Sequence, residues 1–178
     1  MITPDFRIDT DLFCFHMKQG EKEGFFLKHS LCPSAQNTFA NTPRAEVTLL
    51  YSPSFRFDPP ANQLWLAKVI TEQMRKRAKQ ILPQRLAFLA QTHNLTYTSV
   101  SINSARTRWG SCSSRKSINL SLFLLLLPST LIDYVLLHEL CHTRELNHGP
   151  RFWTLLDSFT QGKAKQLRQE LRCFRPQF

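Results

Sequence analysis

The sequence predicts an α+β fold in which a small antiparallel sheet packs on a buried helix, with further helices flanking it. Three observations carry that expectation. Ile118, Leu120 and Leu122 alternate with Asn119 and Ser121, as a half-buried strand requires. Leu66, Ile70, Met74, Ala78 and Ile81 recur at helical spacing. Between Leu131 and Cys141 apolar side chains surround a helical segment on nearly every side, which marks a helix buried all round.

In chain order, residues 1–58 read as a strand-rich region, with period-2 patterns at Phe13 and Phe15, at Phe25 and Leu27, and at Val47, Leu49 and Tyr51. The Pro- and Asn-rich stretch from Cys32 to Pro43 reads as a loop. Asp58 before Pro59 is placed to cap a long helical stretch from about Ala61 to about His93. Pro83 leaves two helices or one kinked helix open. Arg75, Lys76, Arg77 and Lys79 on that stretch are either a solvated face or a phosphate contact. Strands follow at Thr96–Ile102, Ala105–Cys112 and Ile118–Leu122. The apolar run Leu122–Leu127 is a core segment, far short of the roughly 20 residues that span a bilayer. The buried helix starts near Pro128, with Thr130 and Asp133 three apart at its first turn. Two shorter helices are expected at Pro150–Phe159 and Lys163–Cys173. Residues 59–178 thus hold the helices and the motif below, and the whole is read as one compact domain.

The chain has 178 residues, enough for one domain with a sizeable core. Its 23 Lys and Arg against 13 Asp and Glu give a formal charge of +10, a balance that favours anionic partners. The first residues carry Asp5, Asp9 and Asp11 and no apolar h-region, so no secretory signal is expected, and with no run long enough to span a bilayer no membrane partner is expected either. The five cysteines include no CxxC pair, which argues against a disulfide framework and suits a reducing cytoplasm.

The chemistry concentrates in His138-Glu139-Leu140-Cys141-His142. Residues four apart lie on one face of a helix, so two imidazoles reach a common metal ion. Glu139, beside the first of them, is placed to act as general base toward a water activated by that ion rather than as a ligand. A catalytic zinc site needs a third protein ligand and an open position. Glu145, if the helix continued, would stack on the same face about 10 Å of rise from His138. His148 sits where Gly149 and Pro150 turn the chain and is preferred, with Glu145 a surface residue or a partner to a ligand. His16, His29 and His93 are read as isolated structural or surface residues, and Cys141 as packing.

Several separate motifs carry a resemblance. Thr107-Arg108-Trp109-Gly110-Ser111-Cys112-Ser113, Ile118-Asn119-Leu120, Ile132-Asp133-Tyr134-Val135, the HELCH motif and Asn147-His148-Gly149-Pro150-Arg151-Phe152-Trp153 resemble, in order and spacing, the YgjP-like metallopeptidases, a family similar to the SprT-like and WLM zinc proteases. The match is good from about Leu95 to Arg172, loose over the helix from Ala61, and poor over the divergent first 50 residues. The resemblance implies a zincin-like α+β domain, a Zn2+ cofactor held by His138, His142 and His148, and Glu139 as catalytic base. It implies peptide or protein substrates bound along the Arg106–Cys112 segment by strand addition. Arg106, Arg108 and Arg151 are candidate contacts to substrate anions or oxyanion charge, or else fold-supporting groups. Trp109, Phe152 and Trp153 are expected in the core.

Two other classes remain open from the residues. The charge and the arginines also suit a metal-dependent nucleotide or phosphoanhydride hydrolase, although there is no P-loop. The basic stretch Arg75–Lys79 also suits a module that binds nucleic acid.

Overall fold

The computed structural model describes residues 1–32 and 43–175, so most of the loop expected from Cys32 to Pro43 lies outside the described residues. The chain divides into two compact units, Met1–Arg77 and Ala78–Pro176. A single helix, α1 (Pro60–Thr92), contributes residues to both.

The first unit holds β1 (Arg7–Asp9), β2 (Phe13–Gln19), β3 (Phe26–Cys32) and β4 (Arg44–Tyr51) in one sheet of order β1-β2-β4-β3. β2 and β4 run parallel, and the two outer pairs are antiparallel. Phe13, Phe15 and Met17 alternate into the core with Val47 and Leu49, because side chains two apart on a strand share a face. Phe25 and Leu27 depart from the expected pattern. Both are more than one-third exposed, and Phe25 stands before β3, its ring packed against Phe55 and Trp65.

α1 begins one residue later than an Asp58 cap requires. Asn62 and Gln63 donate to the Pro59 carbonyl, while Asp58 pairs with Arg56. Pro83 does not divide the helix. Leu82 and Leu86 on either side are fully buried, and their packing compensates the hydrogen bond that proline cannot make. The expected basic face breaks up as well. Arg77 is buried, its guanidinium donating to the carbonyls of Leu12 and Pro43, and Arg75 pairs with Glu72, which leaves Lys76 and Lys79 exposed. That is a poor phosphate surface.

The second unit holds β5 (Ser99–Asn103), β6 (Gly110–Cys112) and β7 (Ser117–Ser121), then α2 (Ser129–Cys141), α3 (Pro150–Phe159) and α4 (Ala164–Arg172). The α+β class is as expected. The sheet is mixed rather than wholly antiparallel, because its order is β5-β7-β6 and β5 runs parallel to β7. The reason is burial: β7 carries the fully buried Ile118 and Leu120, so it takes the centre, paired on both edges. β6 is shorter than the expected Ala105–Cys112 strand. Ahead of it, the Trp109 carbonyl still accepts from the Ser121 N–H of β7, while the Ala105 carbonyl accepts from the Ser121 hydroxyl, a side-chain contact that does not extend the ladder. Leu122–Leu126 form one turn of 3₁₀ helix, buried as predicted and capped by the Ser121 hydroxyl. Pro128, not Thr130, caps α2, and Asp133 accepts two hydrogen bonds from Arg85 of α1 at 2.8 and 2.5 Å rather than serving the helix start. α2 packs against β6, α3 and α4. Among the described residues no helix is long and apolar enough to cross a membrane.

Candidate metal and active site

α2 presents His138 on its last turn, and His142 is the helix C-cap, still in right-handed helical conformation. The i to i+4 spacing therefore survives at the point where the helix stops. The chain turns through residues 143–149 and returns as α3, and this reversal carries His148 back to the other two. The Nε2 atom of His148 lies 3.0 Å from that of His138 and 3.1 Å from that of His142. The structure thus brings His138, His142 and His148 together, while the Glu145 carboxylate is not part of the cluster.

Glu145 contributes through its backbone. His142 Nδ1 lies 3.0 Å from the Glu145 carbonyl, which can only accept, so Nδ1 carries the proton and Nε2 presents its lone pair to the cluster. Burial, reinforced by the neighbouring histidines, pushes the His138 pKa down to about 3, and burial also lowers that of His148. Three converging Nε2 atoms cannot all be satisfied by one another, since a single N–H between them serves one lone pair and leaves another facing the cluster without a donor. Tetrahedral zinc, with bonds near 2.0–2.1 Å, separates its imidazole nitrogens by about 3.3 Å. The donor set and its spacing fit such an ion.

Phe152 lies under the cluster. Fully buried, it places its ring centroid 4.6–4.9 Å from all three imidazoles. Its assignment to the core is right, and the core here is the floor of the site. Trp153 has a different place from the one expected. It is half-buried, stacks on His148, and donates from Nε1 to the His148 carbonyl at 3.1 Å, which fixes the turn that delivers that histidine.

Glu139 is 5% exposed and faces β6. Burial pushes its pKa up to about 8, with the Arg108 charge pulling the other way. A β-carbon added at Gly110 would stand 2.8 Å from Glu139 Cγ and Oε1. Only a glycine lets the strand pass this close, a role that the spacing within Thr107–Ser113 did not reveal. A glycine inside a strand is the signal that could have revealed it.

The three candidate arginines separate. Arg108 lines a cleft of about 330 Å3 beside His138 and Glu139. Arg106 lies over the Phe123 ring at 5.0 Å, and Arg151 is exposed on the first turn of α3. Neither lines that cleft. Arg168 and Arg172 of α4 do line it, together with Arg175, and sequence periodicity offered no hint of that. The Tyr134 ring also lines the cleft, 6.1 Å from that of His138 and one turn before it on α2.

A second gathering of potential donors, Cys14, His16 and Glu46, lies on the partly exposed face of the first sheet, so His16 is not isolated. Arg44 stands beside Cys14, and its positive charge suits a cation poorly. Cys141 is buried packing, its thiol pushed up to about 12 by burial.

Among curated proteins none matches this chain. Among solved structures, the metallopeptidase zymogen of Pyrococcus abyssi abylysin is similar at 21% identity and a TM-score of 0.46, over 51% of this chain and 91% of that one. The YgjP-like metallopeptidase domain matches residues 41–173, a span that holds the histidine cluster, Glu139 and the cleft residues from Arg108 to Arg172, and the chain belongs to that family.

Proposed function

We propose that this protein is a zinc-dependent peptidase in which His138, His142 and His148 hold the ion and Glu139 is the general base. The observation that carries the reading is the convergence of three imidazole Nε2 atoms, two from one helix and one from the returning chain, with a buried carboxyl next to the first. Family membership supplies the reaction class, metal-dependent peptide hydrolysis. Held by His138, His142 and His148, zinc would supply Lewis-acid chemistry, lowering the pKa of water toward neutrality and polarising a carbonyl.

The chain's own residues do the rest. The Glu139 carboxylate takes the proton of the attacking water and returns it to the leaving amine. Gly110 and the walls around Glu139 hold that carboxylate in one place. β6 is an edge strand, and its unpaired backbone supports binding of an extended peptide by strand addition next to Glu139. Of the three candidate arginines, Arg108 lines the cleft with His138 and Glu139, which supports a substrate contact there, whereas Arg106 lies over Phe123 and Arg151 is exposed.

The test is metal content and peptide cleavage measured together. Wild type is expected to hold one zinc per chain and to cleave peptides, and His148→Ala to lose both. Glu139→Gln is expected to keep the metal and lose about 10²–10⁴-fold in rate. Peptide hydrolysis that survives Glu139→Gln sinks the reading. So does release of phosphate from nucleotides by wild type with no cleavage of any peptide.

A further inference from the structure

The cleft beside His138 and Glu139 is lined by four arginines: Arg108 from the segment before β6, Arg168 and Arg172 four residues apart on α4, and Arg175 just beyond it. Positions four apart share a helix face, so the α4 pair points the same way. Among the described residues none of the four has a carboxylate within ion-pair distance. The single acid of α4, Glu170, accepts from Gln166 instead. Among the described residues, Glu139 is the only carboxyl lining the cleft, and it is buried. Arg168 is held in place over the Trp153 ring at 5.0 Å, and its charge reaches both His138 and His148. Leu171 and Phe174 add apolar surface between the charges. Like charges lining one concavity without counterions repel each other, and an incoming anion relieves that repulsion.

We infer that Arg108, Arg168, Arg172 and Arg175 form a carboxylate-binding subsite that selects acidic peptides for the neighbouring hydrolytic site. The inference rests on the peptidase reading for the word peptide. The carboxylate follows because it is the anion that an ordinary peptide brings, and guanidinium groups match its planar oxygens with paired charge-assisted hydrogen bonds. Two sources share this chemistry, an Asp or Glu side chain and a free C-terminus. The chemistry is a binding preference, and no bond is made or broken by the arginines.

The test is binding of short fluorescent peptides to the full chain with zinc added, read by anisotropy, with products followed in parallel by mass spectrometry. One peptide is neutral with an amidated C-terminus. A second has the free C-terminal carboxylate, and a third series carries one Glu in place of Gln at each position. Carboxylate-bearing peptides are expected to bind at least about tenfold more tightly than the neutral one. Arg168→Gln with Arg172→Gln is expected to abolish that difference. Arg172→Gln alone, which leaves the Arg168–Trp153 contact in place, is expected to reduce it. The second peptide against the third series tells C-terminal from side-chain recognition. Equal binding of neutral and acidic peptides overturns the proposal, as does a preference that survives the double substitution. A single-stranded oligonucleotide that outcompetes every acidic peptide in an Arg168- and Arg172-dependent way also overturns it, in favour of phosphate. Arginine-dependent binding of acidic peptides with no cleavage product sinks the peptidase reading alone.

Discussion

At the scale of single residues, the site depends on small contacts that position its reactive groups. Gly110 is the clearest case, since a methyl group there overlaps the Glu139 side chain at 2.8 Å. Gly110→Ala is therefore expected to displace the carboxylate. Misplacement of a reacting group by about 1 Å costs on the order of 10²-fold in rate. Steady-state kinetics with zinc content checked beside it should show a fall in kcat with the metal retained, and an unchanged kcat would remove Gly110 from the machinery. Trp153 holds the other side of the site through His148. Trp153→Phe keeps an aromatic ring but deletes the donor, and loss of such a supporting hydrogen bond typically weakens metal affinity about 10–100-fold. Competition with a chelator measures it, and an affinity equal to wild type would mean that α3 alone positions His148.

At the scale of elements, α2 is the part on which the second unit is organised. It is buried along most of its length, it carries two of the three histidines, and it is tied to α1 by Arg85 and Asp133, whose side chains are 13% and 20% exposed. A paired, part-buried guanidinium loses its counter-charge when Asp133 becomes Asn. A cost of about 1–3 kcal/mol follows for an ion pair with this much residual solvent contact. Denaturant unfolding of Asp133→Asn should read it as a lower midpoint at unchanged slope. A change within error of zero would show the bridge to be ornamental, as exposed ones usually are. α3 and α4 have a different task. They supply the floor, the turn lock and the arginines, all from outside the motif helix.

At the scale of the whole molecule, metal binding should appear as stability, because the three imidazoles converge only when the chain between residues 142 and 148 has folded. A ligand that binds the native state at one hundred times its dissociation constant stabilises it by about 2.7 kcal/mol, or roughly 5–10 °C in Tm for a chain of this size. Added zinc should raise the Tm of wild type by that order and leave His148→Ala unmoved. An equal rise in both would place the ion elsewhere, and Cys14, His16 and Glu46 would be the first place to look. The +10 charge takes on a more local meaning at this scale. Part of it, in Arg75, Arg77 and Arg85, is spent on internal partners, and part of it lines one cleft.

The features legible in the sequence were those that depend on local spacing. A separation of four residues puts His138 and His142 on one helical turn whatever surrounds them, and Gly149-Pro150 ends any helix that would carry His148 away. The same locality made the buried helix, the core run from Leu122 and the α+β class readable, since each follows from periodicity within one segment. What only the tertiary structure decided lies between segments. Periodicity could not say that β7 would take the centre of its sheet, that Gly110 would pass against Glu139, or that the Glu145 carbonyl rather than its carboxylate would serve His142. Nor could it say that Arg77 would be buried while Arg168 and Arg172 reached the cleft. A charged side chain looks the same in a sequence whether it faces water, a carbonyl or a substrate, because its neighbours are set by chain packing over tens of residues and not by its position in a turn.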